Sequence, residues 1–265
     1  MSPQSAIDKH TVLSDAMNTN QRLPRLAPGL LLGLLLGLVF VSRADDAGYA
    51  EQRSAMVADV ELYARLAADS MGEVIDERIL RSLGSVERHE FVPDDQKRFA
   101  YDNRPLPIGH GQTISQPYIV ALMTKLIEPD ENDVVLELGT GSGYQAAILA
   151  ELVKAVYSIE IVPPLASQAE ALLVRLGYDN VTTRLGDGYY GWEEHAPFDA
   201  IIVTAAASHV PPPLIRQLRP GGLMVIPVGG RFMTQQLLLI QKTHEGEVKS
   251  WQIASVRFVP LTGEH

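Results

Sequence analysis

Hydrophobic residues along this chain are spaced in two ways, and the spacing changes near residue 117. Between residues 49 and 83 they recur at steps of three and four residues, which predicts helices. Farther along, short apolar and β-branched runs alternate with helical stretches, a pattern typical of buried strands linked by helices. The predicted strands are 134–138, 155–159, 181–185, 198–204 and 223–228, and the predicted helices after the first are 76–83, 117–127, 144–153, 164–176 and 211–218.

This alternation predicts the α/β class, with a doubly wound and mostly parallel sheet. Residues 235–242 and 251–258 add two strands joined at Glu245–Gly246, which predicts an antiparallel hairpin at one edge of the sheet. Residues 49–100 are expected to form a helical cap at the N-terminal side of the sheet.

Residues 101–117, YDNRPLPIGHGQTISQP, contain three prolines and two glycines and show no apolar periodicity. That density of proline and glycine predicts a shaped loop without regular structure. Because ordered loops beside an α/β domain usually cover its ligand site, we expect this loop to do so. Ser115 stands just before the predicted helix at 117, where it either presents its hydroxyl to a ligand or caps the helix.

Three glycines at alternate positions, Gly139, Gly141 and Gly143, separate the first predicted strand from a strongly helix-forming run. Such a turn lets a ligand approach bare backbone, although a turn that binds nothing is the alternative. The spacing G-x-G-x-G differs from the dinucleotide fingerprint G-x-G-x-x-G, and the loop contains no lysine or arginine. The carboxylate of Glu137 favours a cationic or amine-bearing ligand over a polyphosphate.

Two further acidic residues follow predicted strands. Glu160 closes the second strand 17 residues after Gly143, near the distance at which an acid that binds a ribose diol is expected. Asp187 lies between two glycines, where it would meet an adenine amino group or simply form a tight turn. Since carboxyl ends of parallel strands form one edge, the glycine loop, both acids and Ala205 should converge there.

Composition narrows the possible functions. The chain has 265 residues and a net charge of −10, which argues against nucleic acid as a main partner. It has no cysteine, so disulfides and thiolate metal sites are excluded.

The N-terminus is expected to lie outside the fold. Residues 26–42 carry no charge, Arg22 and Arg25 precede them, and small residues occupy positions 42 and 44. This pattern predicts a signal peptide or membrane leader over residues 1–44. We expect a single domain over residues 45–265, with the cap and loop in 49–117 and the core sheet in 118–265.

Seven segments together make the chain resemble the protein-L-isoaspartate O-methyltransferases, a family of class I methyltransferases that use S-adenosyl-L-methionine (SAM). They are RHEFVP (88–93), RPLPIGHGQTISQP (104–117), VLELGTGSGYQAAILA (135–150), GDGYYGW (186–192), PFDAIIVTAA (197–206), LRPGGLMVIPVG (218–229) and VRFVPL (256–261). The glycine loop is common to class I methyltransferases, whereas PIGHGQTISQP is specific to this family's substrate side.

The resemblance implies a Rossmann-like fold with SAM as the methyl donor and no metal. The cofactor site would comprise Glu137, Gly139, Thr140, Gly141, Ser142, Gly143, Glu160, Asp187 and Gly188, with the ribose on Glu160. The acceptor would be the free α-carboxylate of an L-isoaspartyl residue in a damaged protein or peptide. Its methyl ester collapses to a succinimide, which hydrolyses partly to normal aspartate, so methylation initiates repair.

On the substrate side, the resemblance implies that Ser115 orients the acceptor carboxylate, with Ile114, Thr204 and Ala205 beside it. An O-methyltransferase for a different carboxylate, or a non-catalytic SAM-binding protein, is the alternative. The family implies the cytoplasm, where SAM is made, whereas residues 22–44 favour export. Any membrane contact would be through that leader alone.

Overall fold

The computed structural model describes residues 48–67, 74–230 and 233–263, and most of these residues surround one seven-stranded sheet. The helices are α1 (48–67), α2 (Glu77–Ser85), α3 (Pro117–Leu126), α4 (Tyr144–Ala150), α5 (Pro163–Arg175) and α6 (Pro212–Gln217). The strands are β1 (Leu106–Gly109), β2 (Gln112–Ile114), β3 (Val134–Leu138), β4 (Ala155–Glu160), β5 (Val181–Leu185), β6 (Phe198–Val203), β7 (Leu218–Val228), β8 (Gln235–Lys242) and β9 (Val248–Val256).

The seven strands of the main sheet are arranged in the order β5-β4-β3-β6-β7-β8-β9. The first five pair in parallel, while β8 and β9 pair antiparallel at one edge. Parallel strands with helical crossovers are covered on both faces, which explains why β3 reads as an apolar run without alternation. The predicted doubly wound sheet and its edge hairpin are therefore confirmed.

Successive residues of the central strands fill two cores. Val135 and Ile202 belong to the core on the face that contacts α3 and α4, whereas Leu136 and Ile201 belong to the core on the opposite face. The alternating side-chain directions of a strand produce this division. Helices on both faces leave the carboxyl edge of the sheet for the chain's loops.

The N-terminal elements form the predicted helical cap. Tyr49 of α1 stacks on His89, with ring centroids 4.0 Å apart, and His89 Nδ1 lies 2.7 Å from the Tyr101 hydroxyl. Asp76 caps α2 by accepting the Ile79 N–H at 3.1 Å. These contacts join α1 to the turn that contains the RHEFVP motif.

The prediction that residues 101–117 lack regular structure is wrong. They contain the antiparallel pair β1–β2, in which Leu106 faces Ile114. Buried and exposed residues alternate in β1, so the sequence does contain a strand period, which the prolines conceal. The turn at Gly109–Gly111 has positive φ at all three residues, including His110 at 52°.

Residues 219–222, which separate the predicted helix 211–218 from the predicted strand 223–228, lie inside β7, because β7 begins at Leu218. Leu218 pairs with Phe198, and the register between β6 and β7 shifts before Ala200. Because of this irregularity, Pro220, Gly221 and Gly222 can lie within the strand.

Among the described residues, no helix is both long enough and apolar enough to span a bilayer. The predicted leader at residues 1–44 lies outside the described part, so the leader and the domain boundary after it stay predictions.

One carboxylate holds three strands together at the amino edge of the sheet. Asp199 of β6 accepts the Val134 N–H through Oδ2 at 2.7 Å, and its Oδ1 lies 2.6 Å from Nε of Arg219 in β7. A half-buried carboxylate with a backbone donor and a guanidinium donor is well paired.

Replacing Asp199 by alanine should therefore lower the free energy of unfolding by about 2 kcal/mol, since it removes hydrogen bonds to a charged group. Urea denaturation measures the loss, with Asp179→Ala, an exposed acid, as the matched control. Equal stability of the two variants would show that Asp199 does not hold the strands.

Candidate active site

A cleft of about 770 Å³, counting space open to solvent, lies at the carboxyl edge of the sheet. It brings together most of the residues predicted for the site. Those lining it are Ile114, Ser115, Gly139, Thr140, Gly141, Ser142, Glu160, Gly188, Thr204 and Ala205. Glu137, Gly143 and Asp187 are not among the lining residues.

The glycine loop turns away from β3 in close contact with β6. Gly139 has φ 95°, and a Cβ atom there would lie 2.5 Å from Thr204 Oγ1, so only glycine fits. The Thr204 hydroxyl lies 2.9 Å from the Leu138 carbonyl oxygen and 2.7 Å from that of Gly139. Gly143, with φ 90°, is the N-cap residue of α4 and ends the loop.

Glu160 holds the loop in place from the end of β4. Its Oε2 accepts the Gly141 N–H at 2.8 Å, and its Oε1 accepts the Val162 N–H at 2.9 Å. Each carboxylate oxygen has two lone pairs, so both retain acceptor capacity for a ligand. Because Glu160 is the only charged residue among the described residues that line the cleft, the cleft suits hydroxyl groups and cations rather than phosphates.

Glu137 lies beneath the loop. It is fully buried and accepts a short hydrogen bond from the Ser158 hydroxyl through Oε2, while Oε1 has no hydrogen-bond partner within the described ranges. Ser158 Oγ lies 2.6 Å from Thr140 Oγ1, which connects Glu137 to the cleft wall. Burial raises the pKa of Glu137 from 4.5 to about 8.

Asp187 directly precedes Gly188, which lines the cleft, and it caps the turn that follows. Its Oδ1 accepts the Tyr189 N–H at 2.9 Å. This hydrogen bond corresponds to the tight turn that the sequence offered as one of two roles for Asp187. Gly188 passes close to β3, since a Cβ atom there would lie 2.7 Å from Leu138 Cδ2. The contact of Asp187 with adenine stays a prediction.

A second cleft of about 750 Å³, again including open space, adjoins the first and shares Thr113, Ser115, Thr204 and Val259 with it. In the part of the chain that the structure describes, Arg257 is the only charged residue that lines it. The two clefts thus differ in charge and meet at Ser115 and Thr204.

The alternative that Ser115 caps α3 is wrong. Gln116 is the N-cap residue, and the Tyr118 N–H in the first turn donates to Asn103 Oδ1 at 3.0 Å. The Ser115 carbonyl oxygen accepts a hydrogen bond from Arg88 Nη2 at 2.8 Å.

Sequence reasoning missed the C-terminal wall of the first cleft, residues Val259–Thr262. The Ala206 N–H donates to the Val259 carbonyl and the Leu261 N–H donates to the Ala206 carbonyl, both at 2.8 Å. The motif VRFVPL and the small residues at 205–207 were the available signals. Gln112 and Gln145 were missed as well.

Within the described ranges, no group of three or more histidine or acidic side chains is arranged to hold a metal ion.

The buried Glu137 generates a pH prediction. Its pKa in the folded protein lies above the unfolded value, so its contribution to stability is present below pH 4.5 and is lost as the pH rises through about 8. Glutamine does not titrate. Relative to the original protein, Glu137→Gln should therefore gain free energy of unfolding as the pH rises across this window.

Urea denaturation at several pH values measures this difference. The pKa of His89 is lowered by burial and acts in the opposite direction, but His89 is present in both proteins and cancels. A difference that is constant with pH would contradict the assignment.

The chain matches known proteins along most of its length. The family model described as "Protein-L-isoaspartate(D-aspartate) O-methyltransferase (PCMT)" matches residues 61–265. A protein-L-isoaspartate O-methyltransferase 1 from Cupriavidus necator is 62% identical over 226 residues, which is 85% of this chain and 87% of that protein. A protein-L-isoaspartate O-methyltransferase 2 from Polaromonas sp. is 66% identical over 190 residues, which is 72% of this chain and 90% of that protein.

Solved structures agree with these sequence matches. A protein-L-isoaspartate O-methyltransferase superposes with a TM-score of 0.69 at 27% identity, over 80% of this chain and 66% of that chain. A beta-aspartate methyltransferase (PCMT) from Plasmodium falciparum, in complex with S-adenosyl-L-homocysteine, gives a TM-score of 0.65 at 25% identity, over 78% and 97% of the two chains. The resemblance inferred from the motifs is confirmed, and the chain belongs to the protein-L-isoaspartate(D-aspartate) O-methyltransferase family.

Proposed function

We propose that this chain transfers the methyl group of SAM to the free α-carboxylate of L-isoaspartyl residues in damaged proteins and peptides, and so initiates their repair. The observation that carries this proposal is the meeting of two clefts at Ser115 and Thr204. A donor in the first cleft and an acceptor in the second would face each other there.

The first cleft fits SAM. The backbone of the loop is bare at Gly139, where a Cβ atom would clash with Thr204 Oγ1, and among the described residues the buried Oε1 of Glu137 has no hydrogen-bond partner beneath the loop. Glu160 keeps acceptor capacity for the two ribose hydroxyls, and Asp187 and Gly188 would take the adenine end. When bound, SAM supplies an electrophilic methyl group on a positively charged sulfur. A cleft whose described lining includes one carboxylate and no basic residue suits that charge.

The second cleft fits an anionic acceptor. Arg257 is exposed and lines it, so its charge attracts a carboxylate toward Ser115. A peptide carboxylate is ionised near neutral pH and needs no general base. The protein's task is therefore to orient the carboxylate oxygen, and correct orientation alone can supply several kcal/mol of the barrier, about 7 or more in favourable cases.

Ser115 is the residue that we assign to this orientation. Its hydroxyl would donate one hydrogen bond to the acceptor carboxylate, which fixes the carboxylate while leaving the second oxygen nucleophilic. Ile114 and the end of β6 at Thr204 and Ala205 would form the adjoining walls. β2 and the C-terminal segment Val259–Thr262 line the cleft and would limit the entry of water.

A methyl-transfer assay with radiolabelled SAM tests the function. Two peptides that differ only in isoaspartyl or normal aspartyl linkage serve as substrate and matched control. The proposal requires label on the isoaspartyl peptide and little on the control. Label on both peptides would favour another carboxylate substrate, and SAM binding without label on either would favour a non-catalytic protein.

Ser115→Ala should lower kcat/KM for the isoaspartyl peptide by about 10- to 100-fold, the range expected for one hydrogen bond to a charged group. SAM affinity should stay nearly unchanged. Ser167→Ala, an exposed serine of α5, is the matched control. Unchanged turnover in the Ser115 variant would remove Ser115 from the mechanism.

Glu160→Gln should weaken SAM binding by about 10-fold or more, because the amide accepts fewer hydrogen bonds and carries no charge. Calorimetric titration with SAM measures the change. Glu170→Gln, at an exposed position of α5, is the control for the loss of one acidic side chain. Full affinity in the Glu160 variant would contradict its role at the ribose.

For the compartment, we propose the cytoplasm, where SAM is made. Export through residues 22–44 is the alternative, and in that case the protein would need an external supply of SAM.

A further inference from the structure

Arg88 of the RHEFVP motif is a buried cation that the proposed reaction does not use directly. It is fully buried, and burial lowers its pKa from 12.5 to about 10, so it remains charged at neutral pH. In the described part of the chain no carboxylate forms an ion pair with it, and its Nη1 has no hydrogen-bond partner. An unpaired buried guanidinium costs stability, so its presence calls for another explanation.

The contacts of Arg88 join three separate segments. Nε donates to the Ala100 carbonyl and Nη2 donates to the Ser115 carbonyl, both at 2.8 Å. The guanidinium carbon lies 4.7 Å from the ring centroid of Tyr144. Tyr144 is the first residue of α4, directly after the glycine loop, and it lines the first cleft.

Through these contacts Arg88 connects Ser115, at the proposed methyl-acceptor cleft, with Tyr144, beside the glycine loop of the proposed methyl-donor cleft. The Ser115 carbonyl lies in the peptide plane between Ser115 and Gln116, so a hydrogen bond to it restrains the backbone from which the Ser115 side chain projects. Tyr144 fixes the guanidinium relative to the glycine loop through a cation–π contact. A displacement of about 1 Å in a group that orients a reacting atom can cost about 100-fold in rate.

We propose that Arg88 is a positioning residue that fixes the Ser115 hydroxyl relative to the glycine loop by binding the Ser115 carbonyl and stacking on Tyr144. The proposal rests on the function proposed above and adds a residue that acts through Ser115. Lysine cannot replace it, because one ammonium group cannot bind two carbonyls in a planar fork and stack on a ring at the same time.

A double-mutant cycle tests this role. Arg88→Lys is measured in the original protein and in the Ser115→Ala background, with kcat and KM for an isoaspartyl peptide and the dissociation constant for SAM as readouts. Arg88→Gln is the second variant. Its side-chain amide retains a hydrogen-bond donor and carries no charge, so we expect it to destabilise the folded protein less than Arg88→Lys does.

The control for loss of a guanidinium in the same region is Arg53→Met. Arg53 of α1 contacts Glu87 and the Tyr101 hydroxyl, both at 3.4 Å, and not Ser115. Thermal unfolding of every variant separates loss of fold from loss of activity.

We expect each Arg88 variant to lower kcat by about 10-fold when Ser115 is present and by less than about 2-fold when it is alanine. SAM affinity should change by less than about 3-fold, and Arg53→Met should leave kcat within about 2-fold. Equal losses of kcat in both backgrounds, or a kcat that follows only the unfolding temperature, would overturn the proposal.

The cycle also separates the two levels of inference. If Ser115→Ala alone leaves turnover unchanged, the role of Ser115 fails and that of Arg88 fails with it. If Ser115→Ala lowers turnover but the Arg88 effects are additive to it, only the role of Arg88 fails. Absence of methyl transfer in the original protein would instead reject the proposed function.

Discussion

The end of β3 lies so close to the end of β6 that only glycine fits at position 139, directly after β3. A Cβ atom at Gly139 would lie 2.5 Å from Thr204 Oγ1. The loop that follows is held to the end of β4: the Gly139 N–H donates to the Ile159 carbonyl at 2.8 Å, and Glu160 accepts the Gly141 N–H at 2.8 Å. Three strand ends therefore share one arrangement, in which Glu160 and Thr204 line the same cleft as the loop.

Two ionisable groups are buried on either side of this arrangement. Glu137 lies beneath the loop and Arg88 lies behind Ser115, and among the residues that the structure describes one oxygen of Glu137 and one nitrogen of Arg88 have no hydrogen-bond partner. Each such group costs about 1–3 kcal/mol or more, a large fraction of the stability of an ordinary domain. Apolar residues would form a more stable core at both positions. Both groups lie beside the two clefts rather than elsewhere in the core. We infer that the stability they cost is related to the function of the site.

The sequence predicts the parallel sheet closely because buried strands of this kind are short apolar runs that contain few competing signals. β3 and β5 begin and end at the predicted residues, 134–138 and 181–185. The β1–β2 hairpin could not be predicted in this way, since its strands are four and three residues long and contain a proline. Propensity over so few residues is weaker than the proline and glycine signals around them.

The site was predictable where a residue ends a strand, as Glu160 does, or follows one directly, as Thr204 does. It was not predictable where the chain returns from a distance. Val259–Thr262 reach the cleft only because Ala206 pairs with this segment, and that pairing is tertiary. The contact of Arg88 with Ser115 was likewise not predictable from their positions in the sequence. It depends on the burial of the Arg88 guanidinium between three segments that meet only in the folded protein.

A crystal structure of the protein with S-adenosyl-L-homocysteine and an isoaspartyl peptide tests the central claim most directly. The claim is that the two clefts hold the donor and the acceptor and meet at Ser115. We predict the cofactor product over Gly139–Gly143 with its ribose hydroxyls on Glu160, and the peptide's α-carboxylate hydrogen-bonded to Ser115. A peptide bound outside the second cleft, or a carboxylate that faces away from the glycine loop, would contradict it.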